Sequence, residues 1–121
     1  MNPSITDTAE AISRHEFEKA YPFILDDAEW TVIGGGTIVG KDDIVRALEG
    51  TAAELANTQT TFDRFKVIVA DGYVVTDSQA RYVDEDGEAS EVASCDIYEF
   101  KGEMLSAITS YTLEIEQFAA G

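Results

Sequence analysis

Cys95-Asp96-Ile97-Tyr98-Glu99-Phe100-Lys101-Gly102-Glu103-Met104-Leu105-Ser106-Ala107-Ile108-Thr109-Ser110-Tyr111-Thr112 is the stretch on which the reading of this chain turns. It predicts two strands joined at Lys101-Gly102-Glu103, because β-prone residues alternate on either side of a glycine turn. One face carries Asp96, Tyr98 and Phe100 with Ile108, Ser110 and Thr112. A mid-strand carboxylate among apolar and aromatic neighbours costs free energy unless it meets water or is matched inside. The direction of Asp96 therefore decides whether the chain has a chemical site.

Upstream, the same pattern continues. Thr58 to Ala70 is rich in Thr, Phe, Val and Ile, and Asp71-Gly72 is a hairpin signal. Tyr73 to Val83 follows, then a turn at Asp84-Glu85-Asp86-Gly87. These pieces predict a four-strand antiparallel meander. The first half of the chain reads differently. Thr6-Asp7-Thr8 offers cap residues to a helical pattern limited by Pro22, and residues 42 to about 56 repeat apolar side chains at Ile44, Val45, Leu48, Ala52 and Leu55. Between them Phe23-Ile24-Leu25 and Ala28 to Ile33 read as short extended pieces ending in Gly34-Gly35-Gly36. Helices first and a meander second is an α+β layout, and 121 residues form one domain spanning 1–121.

Taking the 84–87 turn as four residues puts Asp77, Gln79, Arg81 and Val83 on the face of Asp96. The opposite face carries Thr76, Ser78, Ala80, Tyr82, Cys95 and Leu105, among others. Neither is a plain polar face, so alternation leaves open which one is buried.

Composition narrows the partners. With 24 acidic against 8 basic residues the net charge is −16, which disfavours nucleic acid and anionic membrane surfaces. One cysteine excludes an internal disulfide framework and suits a cytoplasmic setting. No apolar run approaches membrane-spanning length. Gly35 to Asp42 imitates a phosphate loop (GxxxxGK), yet Asp42 stands where a magnesium-holding hydroxyl is needed. Neither the acid pairs nor the single histidine have metal-ligand spacing, so no metal and no cofactor is expected. His15, on the first helix beside Glu16 and Glu18, reads as a surface residue or an acid–base group at a cavity mouth.

Taken in order, Asp26-Asp27-Ala28-Glu29-Trp30, Gly40-Lys41-Asp42-Asp43-Ile44, Ala70-Asp71-Gly72, Cys95 to Phe100 and Ile108-Thr109-Ser110-Tyr111 resemble the nuclear transport factor 2-like superfamily. The likeness lies in its SnoaL-like and ketosteroid-isomerase-like branch and runs over nearly the whole chain. It implies a cystatin-like cone in which a strongly curved sheet wraps helices around an apolar cavity, with the outer sheet face pairing two subunits. It also turns Asp96 inward as a cavity acid or base. In ketosteroid isomerase the matching aspartate stays protonated and donates to the substrate oxyanion. Trp30, Val32, Asp77, Gln79, Arg81, Ser94, Tyr98, Ile108, Ser110 and Thr112 would then line the pocket and bind a small apolar ligand with a carbonyl or hydroxyl. Two departures matter. Val32 or a neighbour stands where the isomerase has its general base, and the first helix offers no equivalent of its oxyanion tyrosine. Arg81 with Asp77 or Asp96 resembles the epoxide-hydrolase branch, but no water-holding Tyr/Asn set accompanies it. The residues thus leave an isomerase, cyclase, dehydratase or hydrolase and a non-catalytic binding or dimerisation module both open.

Overall fold

The computed structural model describes residues 4–115. Helix α1 spans Ile5–Ser13. Its cap is Ser4, earlier than the Thr6-Asp7-Thr8 cap expected. The Ser4 hydroxyl accepts from the Asp7 amide at 3.2 Å and the Asp7 carboxylate accepts from the Ser4 amide at 3.2 Å. The helix also stops well short of Pro22. His15 takes the left-handed conformation at φ 65°, which ends it, and two 3₁₀ turns, Phe17–Lys19 and Tyr21–Phe23, lead onward.

Strand β1 (Ile24–Val32) unites the two extended pieces expected separately, and β2 (Gly36–Val39) folds back on it across the glycine turn. Helix α2 (Lys41–Leu55) follows. The expected meander is then present as β3 (Gln59–Ala70), β4 (Tyr73–Val83), β5 (Ala89–Lys101) and β6 (Met104–Ile115). The six strands form one sheet in the order β2-β1-β6-β5-β4-β3. All neighbours are antiparallel except β1 and β6, which run parallel. The helices lie on the concave side, giving the α+β cone. Between them and the sheet sit Ala9, Ile12, Phe17, Ile24, Ile44, Leu48, Val74, Tyr98 and Leu105, all buried. No helix among the described residues is long and apolar enough to cross a membrane.

Two turns set the faces of the meander. Asp71-Gly72 closes a two-residue hairpin between Ala70 and Tyr73, with Gly72 at φ 76°. The next connection is five residues long, Asp84 to Glu88, not four. The Asp84 carboxylate accepts from the amides of Asp86 and Glu88 at 2.9 Å each, and the Asp84 amide donates to the Glu88 carbonyl at 3.0 Å. Gly87, at φ 80°, makes the sharp return possible. The extra residue shifts the register by one, so Asp96 pairs with Thr76 and not with Asp77. A one-residue shift exchanges the faces of a strand. Asp77, Gln79, Arg81 and Val83 therefore share no face with Asp96, contrary to the sequence reading, and Thr76, Ser78, Ala80 and Tyr82 point inward in their place.

A second irregularity corrects Leu105. The β5–β6 pairing slips between Glu99 and Phe100, leaving Ser106 as an extra residue whose hydroxyl donates to the Glu99 carbonyl at 3.0 Å. The bulge turns Leu105 from the outer face into the core, where it is fully buried.

Candidate functional site

The concave wall is built in rows, because same-face residues on adjacent strands lie side by side. Deepest is Val74–Tyr98–Ile108–Trp30 across β4, β5, β6 and β1. The next row is Thr76–Asp96–Ser110–Val32, and after it comes Ser78–Ser94–Thr112. The end of α1 and the inner face of α2 close the other side, leaving a cavity of about 350 Å³. Leu48, Phe17, Phe62 and Val92 supply apolar wall.

Ser13, the last residue of α1, is the centre of the polar network. Its hydroxyl oxygen lies 2.6 Å from the Tyr98 phenol oxygen, 2.7 Å from Thr76 Oγ1 and 3.3 Å from Asp96 Oδ2. A serine hydroxyl donates once and accepts twice. All three bonds are satisfied together when Tyr98 and Thr76 donate to Ser13 and Ser13 donates to Asp96. With Asp96 protonated the chain can reverse, the acid donating to Ser13. Trp30 is held separately, its indole N–H donating to Ser110 Oγ at 2.9 Å.

Burial pushes the Asp96 carboxyl above its ordinary range, while the hydroxyls of Ser110, Ser13 and Thr76 pull the other way. Burial, and then the charge of Asp96, raise the Tyr98 phenol well above its usual value. Tyr98 is thus a neutral donor.

A second polar pair stands nearer the mouth. His15 Nε2 lies 3.0 Å from the Tyr82 phenol oxygen, and the ring packs against Phe17 and Phe62. Burial lowers the His15 pKa and raises that of Tyr82, with the charge of Asp96 adding to the latter. His15 Nδ1 is buried without a partner among the described residues.

Of the residues expected at the site, Asp96, Trp30, Val32, Ser94, Tyr98, Ile108, Ser110 and Thr112 line the cavity. Asp77, Gln79 and Arg81 do not. Asp77 accepts from Arg64 Nη2 at 2.7 Å outside the sheet, Gln79 reaches Glu91 at 3.4 Å and Arg81 is exposed. Neither the Arg81–Asp96 pair nor a pairing of Asp77 with Asp96 inside the cavity is formed. Cys95 lies beside Asp77 and Tyr111 on the outer face, its thiol raised by burial. Sequence reasoning missed Ser13, Thr76, Ser78 and Tyr82. The last three follow from the loop length. Ser13 left a trace: it sits four residues after Ala9 and next to Ile12, on the apolar stripe of α1.

Among the described residues no group of three His, Cys, Asp or Glu side chains converges as a metal site would require. The phosphate-loop imitation is spent on structure: residues 36–39 are paired as β2 and the Gly40 amide donates to the Ala28 carbonyl at 2.7 Å.

The family model described as a SnoaL-like domain matches residues 5–108. Among solved structures, an NTF2-like protein of unknown function from Cytophaga hutchinsonii is similar at 29% identity and TM-score 0.75, over 91% of this chain and 100% of that one. A hypothetical protein with a ketosteroid isomerase-like fold from Catenulispora acidiphila, in complex with trimethylamine, shares the fold at 18% identity and TM-score 0.67, over 92% of this chain and 86% of that one. An LEH-like epoxide hydrolase of M. tuberculosis does so at 13% identity and TM-score 0.66, over 90% and 82%. No curated protein matches the sequence.

Proposed function

Because this chain belongs to the SnoaL-like domain family, whose fold carries many chemistries, we propose its function from the cavity itself. It binds a small, largely apolar molecule through a carbonyl or hydroxyl oxygen, and Asp96 acts on that oxygen as a general acid–base group. The observation that carries this is the setting of Asp96: a carboxyl raised by burial, held by the Ser13 hydroxyl and opening on an apolar cavity. Protonated, it donates to the ligand oxygen and stabilises charge developing there. Ionised, it takes a proton from a hydroxyl or an adjacent carbon. Tyr98, Ser13 and Thr76 fix the carboxyl and absorb its change of charge by reorienting their hydroxyls. The reaction class is that of an isomerase, cyclase, dehydratase or hydrolase.

Asp96→Asn tests this. The variant is expected to fold and to keep ligand-induced thermal stabilisation while losing turnover. Unchanged turnover would overturn the catalytic assignment. A second reading, a non-catalytic binding or dimerisation module, is favoured by one observation: Val32 offers no base on the first strand, and no other carboxylate shares the row of Asp96.

The protein further acts as a homodimer through the outer sheet face. Ile33, Tyr111 and Leu113 are exposed there beside Cys95 and Ala93, and an apolar patch of this kind suits a second copy. A monomer at micromolar concentration would contradict it. A single cysteine and a strongly acidic surface suit a cytoplasmic protein that binds neither nucleic acid nor membrane.

A further inference from the structure

One row mouthward of Asp96, Ser78 and Ser94 face each other across β4 and β5, and Thr112 adjoins Ser94 on β6. All three line the cavity. Their position is unlike that of the hydroxyls in the Asp96 row, Thr76 and Ser110, which are engaged by Ser13 and Trp30. Ser78 is 4% exposed. Its hydroxyl bonds to nothing among the described residues, yet it keeps contact with the open space of the cavity. The Ser94 and Thr112 hydroxyls likewise have no side-chain partner there. Ser94 is half-buried and Thr112 exposed, but a buried hydroxyl without a partner protein group is poorly compensated, so Ser78 is left for whatever occupies the cavity.

The charge of the cavity limits what that something is. Neither lysine nor arginine lines it, whereas Asp96 and Glu54 do, and the chain carries −16 overall. An anionic group would enter unpaired. Two rows on one strand face are about 7 Å apart, twice the rise per residue.

Resting on the reading of Asp96 as the group that holds the ligand's first oxygen, we propose that Ser78 and Ser94, with Thr112 at their margin, form a second polar subsite. The ligand is then an uncharged molecule with two oxygen functions about 7 Å apart, separated by an apolar frame. One oxygen meets Asp96, and the other exchanges hydrogen bonds with the serine pair.

Calorimetry with 1-tetralone, 6-hydroxy-1-tetralone and 1-tetralone-6-carboxylate tests this on the full chain. The distal hydroxyl should improve affinity about tenfold over 1-tetralone, the worth of about 1.4 kcal/mol in one well-placed hydrogen bond. The carboxylate should bind more weakly than either. In Ser78→Ala/Ser94→Ala the hydroxyl's advantage should fall below about twofold while 1-tetralone binds as before, which also reports that the variant is folded. An advantage that survives in the double variant, or a carboxylate that binds tighter than the hydroxyl, overturns the subsite. If 1-tetralone binds and Asp96→Ala weakens it, but the hydroxyl adds nothing, the subsite alone fails. If 1-tetralone binding is absent or indifferent to Asp96→Ala, the Asp96 reading fails and the subsite with it.

Discussion

The Ser13 hydroxyl, at the last residue of α1, lies 2.6 Å from the Tyr98 phenol in the middle of β5. A helix end is thereby tied to the sheet centre by a side chain that also reaches Thr76 and Asp96. Ser13→Ala takes one partner from each of two fully buried hydroxyls, Tyr98 and Thr76, which keep each other and the bond of Thr76 to Asp96. A buried polar group left short of partners costs up to about 1–3 kcal/mol. Chemical denaturation should show a loss of that size, with Tyr98→Phe recovering part of it in the double variant. Additive losses would show that the bond carries no coupling.

Asp96 gives stability a slope with pH. Its native pKa lies above the ordinary carboxyl value of about 3.9, so the folded state holds the proton more tightly than the unfolded chain. The contribution of neutral Asp96 is full below about 3.9 and is lost as pH rises through the raised native value. Asp96→Asn should therefore gain stability relative to the parent across that interval. Parallel denaturation curves for the two proteins would contradict the burial of the carboxyl.

His15 slopes the other way. Burial holds its native pKa below about 6.5. Stability is then lost as pH falls from about 6.5 through the native value, where an imidazolium must be kept beside Phe17 and Phe62. His15→Asn keeps a residue that tolerates the left-handed backbone at φ 65° and should flatten this window. Retention of the slope in the variant would place its origin elsewhere.

The side chains of Arg81 and Gln79 lie on the outer face of the sheet. Arg81→Ala and Gln79→Ala should leave 1-tetralone affinity within about twofold of the parent, as substitutions far from a site usually do. A tenfold loss from either would contradict the register of β4.

At the outer face, Leu113 is 68% exposed beside Tyr111. Leu113→Lys puts a charge into the proposed subunit interface, and sedimentation should report a shift from dimer to monomer. An unmoved dimer would place the interface elsewhere.

The meander and the Asp71-Gly72 hairpin were legible in the sequence, because alternation and turn chemistry are local, whereas alternation left the direction of Asp96 open and only the family resemblance turned it inward. What escaped was the parity of β4. Asp84-Glu85-Asp86-Gly87 looks complete as a four-residue turn. The Asp84 carboxylate on the Glu88 amide and the Asp84 amide on the Glu88 carbonyl make it five, and pattern alone does not weigh those bonds. The Ser106 bulge hid the burial of Leu105 for the same reason. Ser13 escaped because its partners lie 63 to 85 residues away.

The loop from Asp84 to Glu88 lies on the surface, yet its length decides the inner lining. Removing one residue there and letting β4 slide to the next register would withdraw Thr76, Ser78 and Tyr82 and present Asp77, Gln79 and Arg81 to Asp96. A hydroxyl-lined chamber would gain a guanidinium, an amide and a further carboxylate beside Asp96, without a single substitution inside it. In this fold an indel at the rim is a change of chemistry as much as a change of outline, and kin that differ there need not share a substrate.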